Sequence, residues 1–114
     1  MNDMKKFLIA GTIVDTDADK WSFEDVTPTE VRTFIKNLKP GEPMTFEITS
    51  PGGSCTAGLA IANLIRQASR EGHESTAHVV GLAASMASIV TCACDRVQMD
   101  DSAFLMIHNP WTGV

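Results

Sequence analysis

Long apolar runs are missing from this chain. No stretch of its 114 residues is long enough to cross a bilayer, so no membrane partner is expected. A basic footprint is missing too. Nine Lys and Arg stand against 14 Asp and Glu, giving a formal net charge of −5, and both signs are interspersed. That balance argues against nucleic acid as a partner. Cysteine is scarce: Cys55, Cys92 and Cys94 make an odd count in no disulfide-like or zinc-like spacing. Cys92 and Cys94 read as small hydrophobes in an apolar helix, and a reducing compartment fits them. No internal repeat, low-complexity segment or nucleotide-binding loop is visible, and no cofactor is expected. The N-terminal MNDMKKFLIAGTIVDTD places two lysines before apolar residues. Asp15, Asp17 and Asp19 interrupt it with no convincing cleavage site, so it reads as a strand of a cytosolic protein. At this length one domain is the ceiling, and it can bury about two-thirds of its unfolded surface.

What is present is an alternation of strand and helix signals. Residues 7–14 read as a buried strand and 15–23 as a polar connection. Thr27 as N-cap, Pro28 at the first helical position and Glu30 three residues on form a helix start. Val31, Phe34, Ile35 and Leu38 then repeat at helical spacing until Pro40-Gly41. Residues 44–49 read as a second strand ending in Ser50-Pro51-Gly52-Gly53-Ser54. The helix after it has an apolar stripe of Ala57, Ala60, Ile61, Leu64, Ile65 and Ala68. A polar loop with an exposed His73 leads to a third strand over 75–80, in which His78 reads as a packed or edge histidine rather than a ligand. Gly81 marks a turn, and an apolar helix follows through Cys94. Short strands are expected over 95–99 and 103–108, with Asn109-Pro110 as the stop. Such βα alternation predicts parallel, fully buried strands.

Two stretches carry chemistry. Ser85, in VVGLAASMASIVT, falls where a strand gives way to the N-terminus of a buried helix, where unpaired N–H groups and the positive dipole end face outward. A serine placed there can attack a carbonyl, with the Met86 N–H ready for the oxyanion. It can equally serve as a plain helix cap. The Pro-Gly-Gly turn aims glycine N–H groups at another helix N-terminus, which suits an oxyanion or merely a tight turn. His108 stands at a strand end, where βα folds gather reactive groups.

The order and spacing of ITSPGGSCTAGLAIANLI, VVGLAASMAS and FLMIHNPW resemble the ClpP-type serine peptidases, especially their phage and prophage branch. The resemblance implies Ser85 as nucleophile, His108 as general base, and the N–H groups of Gly53 and Met86 as oxyanion hole. It implies an α/β ClpP/crotonase-like spiral of stacked ββα units with mainly parallel buried strands. It further implies protein or peptide substrates, homo-oligomeric heptameric rings, an ATP-dependent unfoldase as a possible partner, and either capsid or portal protein maturation or general protein degradation. Thr49 stands where many members carry Asn, and Cys55 replaces a more usual aliphatic residue. The family's third triad member, an aspartate beyond a long helix, has no counterpart up to Val114. Residues 1–114 are therefore expected to be one domain, the N-terminal part of the peptidase domain, with little activity alone.

Four other readings fit parts of the sequence. A crotonase-type acyl-CoA enzyme would use the paired N–H groups without a serine nucleophile, which the Ser85 and His108 pair disfavours. A Ser–Lys dyad is disfavoured because lysine stops at Lys39. Cys55, near a helix N-terminus, could serve as a thiol nucleophile. A non-catalytic ring or scaffold subunit would keep the fold alone.

Overall fold

Local signals set many of the element boundaries in the computed structural model of the chain, which describes residues 5–107. The order is β1 (Lys5–Ile9), α1 (Pro28–Lys36), β2 (Met44–Ser50), α2 (Cys55–Arg70), β3 (Ser75–Ala84), α3 (Met86–Ala93), β4 (Arg96–Met99) and β5 (Phe104–Met106), with a 3₁₀ turn at Asp17–Asp19. His108 lies outside the described residues.

The capping residues of α1 behave as their types require. Glu30 N–H donates to Thr27 Oγ1 at 3.3 Å, and Thr27 N–H donates to Glu30 Oε1 at 2.9 Å. Lys20 reaches the other Glu30 oxygen at 2.7 Å and ties the preceding loop to this helix. Burial pushes the Glu30 carboxyl up, but Lys20 and the Thr27 N–H outweigh it, so it titrates below the ordinary range. Behind the cap, Phe34 packs at 5.4 Å from Phe7 and 5.6 Å from Phe46, joining α1 to the sheet.

All strand pairs are parallel, in the order β1-β2-β3-β4, with β5 also pairing β3. β3 serves two neighbours in succession: Thr76 to Val79 face β4, and Leu82 to Ala84 face β5. The core of Ile9, Phe46, Ile48, Val79 and Ala83 meets Ile61, Ile65 and Val90 from the helices. Along β3 the buried positions are Ser75, Ala77, Val79 and Ala83, whereas all four β4 side chains are exposed. Burial is thus one-sided rather than complete. The open face carries polar pairs, Lys6 with Glu47 at 3.3 Å and His78 with Asp100 at 2.7 Å. Among the described residues no His, Cys, Asp or Glu cluster suits a metal, and no helix is long and apolar enough to cross a membrane.

Several local expectations are corrected by long-range contacts. β1 ends at Ile9, not Val14, because the backbone from Gly11 to Val14 turns to pair with Glu24, Val26 and the glycine turn. Gly81 makes no turn. It lies inside β3, at a register shift against β2, with Thr49 Oγ1 only 2.5 Å from where a Cβ would sit. On α2, Gly58 and Ala62 are buried while Ala60 and Leu64 are half-buried, since α3 packs across that side. His73 is half-buried rather than exposed, its Nδ1–H donating to the Glu42 carbonyl at 2.8 Å. Cys92 is exposed, whereas Cys94, the C-cap of α3, is buried in the core.

Candidate active site

Ser85 joins β3 to α3, and its backbone is unusual. At φ 55 and ψ −124 it is the non-glycine residue with positive φ among those described. A serine held there stores on the order of 1–3 kcal/mol of strain, which only the surroundings can maintain. Those surroundings are explicit. Ser85 N–H donates to the Met106 carbonyl at 3.1 Å, and the Ser85 carbonyl accepts from the Ser88 N–H at 3.0 Å and the Ser88 hydroxyl at 2.6 Å. The Ser85 side chain makes no capping hydrogen bond, so it is not spent on the helix it precedes. That removes the plain helix-cap explanation and leaves a half-buried hydroxyl at a strained strand-to-helix corner.

Over that corner lies the glycine turn. Gly52 has φ 101 and Gly53 φ 149, conformations that side-chain-bearing residues rarely adopt. Buried Ser50 anchors the turn from below, donating its hydroxyl to the Gly11 carbonyl at 2.6 Å and accepting from Gly52 N–H at 3.1 Å. Ile13 brackets it from the side. Its N–H donates to the Gly52 carbonyl at 2.8 Å, and its carbonyl accepts from Ser54 N–H at 2.8 Å. A Cβ on Gly52 would stand 2.9 Å from Ser85 Cβ and 3.0 Å from Met86 N, and one on Gly53 would overlap the Ile13 carbonyl. The turn therefore rides directly on the serine. Among the described residues, the N–H groups of Gly53 and Met86 find no acceptor.

The fold thus sets a strained serine at a strand-to-helix corner beneath a double-glycine turn. The Clp protease family profile matches residues 10–114. The chain belongs to the Clp protease family. It is 40% identical over 98 residues to the ATP-dependent Clp protease proteolytic subunit 1 of Chlamydia muridarum and to that of Chlamydia trachomatis serovar D, matching 79% of this chain and 50% of each relative. The corresponding subunit of Protochlamydia amoebophila is 38% identical over 79 residues, 68% of this chain and 37% of that protein. The chain spans about half the length of these Chlamydia relatives.

In this Clp-family chain, the fold brings Ser85, Met86, Gly52 and Gly53 together, whereas His108 lies outside the described residues. β5 leads toward it, with Met106 paired to Ala84 beside the serine. Asp100 is engaged by His78. Three contributors to the site escape sequence reasoning. Gly52, rather than Gly53, makes the close approach to Ser85. Gly58 lets the Met86 side chain lie against α2, since a Cβ there would be 2.8 Å from Met86 Cβ. Ser88 holds the serine carbonyl. Of these only the doubled glycine had a local signal.

Cys55 opens α2, is exposed, and its Sγ lies 3.8 Å from Met86 Sδ. Its neighbour there is a thioether, not a base. Burial pushes the Cys94 thiol up to about 12. An alkylating agent at pH 8 is accordingly expected to modify Cys55 and Cys92 while sparing Cys94, as peptide mass mapping would read. Modification of Cys94 at a comparable rate in the folded protein would contradict this burial.

Asp25 supports the Ile13 segment. Its carboxylate accepts from the N–H groups of Trp21 at 2.9 Å, Thr12 at 2.9 Å and Ser22 at 3.2 Å, and these bonds, Trp21 foremost, hold it below the ordinary carboxylate range. A depressed native pKa stabilises the fold at pH values above the unfolded Asp pKa, about 4, and the benefit disappears as pH falls through the lower native value. Asp25→Asn should therefore lower the melting temperature at pH 7, with the gap to wild type closing on acidification. A gap independent of pH would show that the charge contributes nothing.

Proposed function

We propose that the protein is a serine endopeptidase of the Clp type. Ser85 attacks the peptide carbonyl, His108 takes its proton and returns it to the leaving amine, and the N–H groups of Gly53 and Met86 receive the oxyanion. The observation that carries this reading is the strained Ser85 corner beneath the Gly52–Gly53 turn. His108 is assigned from the resemblance, supported by its position two residues after Met106, whose carbonyl accepts from Ser85 N–H.

The orienting carboxylate is proposed to come from outside residues 1–114, since Asp100 is bound to His78. Without such a group a triad loses on the order of 10⁴ in turnover, so the 114-residue piece alone should be nearly inactive. Membership of the Clp protease family favours peptide hydrolysis over acyl-CoA chemistry. Ring assembly with seven subunits, cytoplasmic location, docking of an ATP-dependent unfoldase, and processing of capsid or portal proteins by a prophage-encoded enzyme complete the proposal. They rest on the resemblance; the relatives' names add only that those proteins are subunits of an ATP-dependent protease.

A fluorophosphonate probe tests it. In the full-length protein the probe should attach covalently to Ser85, located by peptide mass mapping. An assembled, folded protein that remains unlabelled would instead be a scaffold subunit, and rapid stoichiometric labelling of the 114-residue piece would refute its inactivity.

A further inference from the structure

The start of α3 differs from the starts of the other two long helices. In α1 and α2 the N-cap carbonyl takes the ordinary bond from the residue four positions on: Val31 N–H to the Thr27 carbonyl at 3.4 Å, and Gly58 N–H to the Ser54 carbonyl at 2.9 Å. In α3 the Ser85 carbonyl is instead met by Ser88, three positions on, through both its N–H at 3.0 Å and its hydroxyl at 2.6 Å. Ser88 is 1% exposed, so its hydroxyl has no bulk water to turn to.

That carbonyl belongs to the same trans peptide as the Met86 N–H. The two groups point in opposite directions across a rigid plane, so fixing the oxygen fixes the direction of the N–H. The same geometry governs the other donor, because the Gly52 carbonyl is held by Ile13 N–H at 2.8 Å and shares its peptide with Gly53 N–H. The Met86 side chain adds a further restraint against Gly58 and Cys55.

We infer that Ser88 is a positioning residue whose hydroxyl locks the Ser85–Met86 peptide, keeping the Met86 N–H aimed at the developing oxyanion. The inference rests on the catalytic reading above and names the side chain that preorganises one of its two donors. Preorganisation matters because a donor that must rotate into place during the reaction stabilises the transition state less.

The test is steady-state hydrolysis of a fluorogenic peptide by the full-length protein, with binding of a peptide boronate, whose tetrahedral adduct needs the same donors. Complete loss of an oxyanion donor costs about 10²–10³ in kcat, and a loosened donor should cost less, about tenfold, in Ser88→Ala. KM should stay within about twofold, since ground-state binding does not use the oxyanion contact, and boronate affinity should fall with kcat. Ser88→Thr and Ser88→Val separate the hydroxyl from packing. Both add the same bulk, yet only Thr keeps the bond, so Thr should retain clearly more activity than Val. Equal losses in Thr and Val, a kcat unchanged in Ala, or kcat and KM moving together would overturn the inference. An unlabelled wild-type protein in the fluorophosphonate assay would instead bring down the catalytic reading itself, and this inference with it.

Discussion

Replacing Ser85 with Ala in the full-length protein is expected to lower peptide hydrolysis by about 10⁴-fold or more while leaving the fold in place. The two halves of that expectation have separate physical grounds. Activity falls because Ser85 is the proposed nucleophile, and the nearby Ser88 hydroxyl is spent on the Ser85 carbonyl. Stability is nearly kept because the Ser85 hydroxyl caps nothing. The bonds that hold the corner run through backbone groups and Ser88. Surface-like deletions without a lost bond shift stability by about 0.5 kcal/mol or less. Peptide turnover and a thermal melt on the same preparation read both halves. Cleavage that persists in Ser85→Ala would move the nucleophile elsewhere, with Cys55 the first residue to examine, as it lies against Met86.

The second large effect is expected at Gly52. A methyl there would stand 2.7 Å from the Ala84 carbonyl oxygen, 2.9 Å from Ser85 Cβ and 3.0 Å from Met86 N, and the backbone φ is 101. Two of these neighbours are backbone atoms, which cannot swing aside as a long side chain could. Gly52→Ala must therefore lift the turn from the serine or strain both. Strain of this kind costs about 1–3 kcal/mol in stability. A displacement of roughly 1 Å between reacting groups and their donors costs about 10²-fold in turnover. Gly72 supplies the control within the same chain. Its φ is 105, yet a Cβ there meets nothing within 4 Å. Gly72→Ala should show the backbone cost in a urea titration and leave turnover unchanged. If Gly52→Ala lost no more activity than Gly72→Ala, close contact between the turn and the serine would have no catalytic importance.

These two predictions depend differently on what could be read before any fold was known. The strand-to-helix junction at Ser85 was legible, since a serine among small residues between an apolar strand and an apolar helix is a local pattern. So were α1, whose capping box and Pro28 act within four residues, and β2, whose end is set by Pro51 and two glycines. The assignment of His108 as base came only through resemblance to a family. Which glycine touches the serine was not legible, because the whole of α2 and β3 separates Gly52 from Ser85.

The chain's order alone determined where helices start and which segments alternate, because caps, helical periodicity and glycine turns are interactions among near neighbours. It also determined which residue types were on hand for chemistry. Only the tertiary structure decided where β1 stops, that Gly81 lies in a strand, which of Cys92 and Cys94 is buried, and that Ser88 rather than a helix bond restrains the Ser85 carbonyl. Each of those outcomes depends on which distant segment comes to lie alongside, and no short-range preference encodes a neighbour that arrives from tens of residues away.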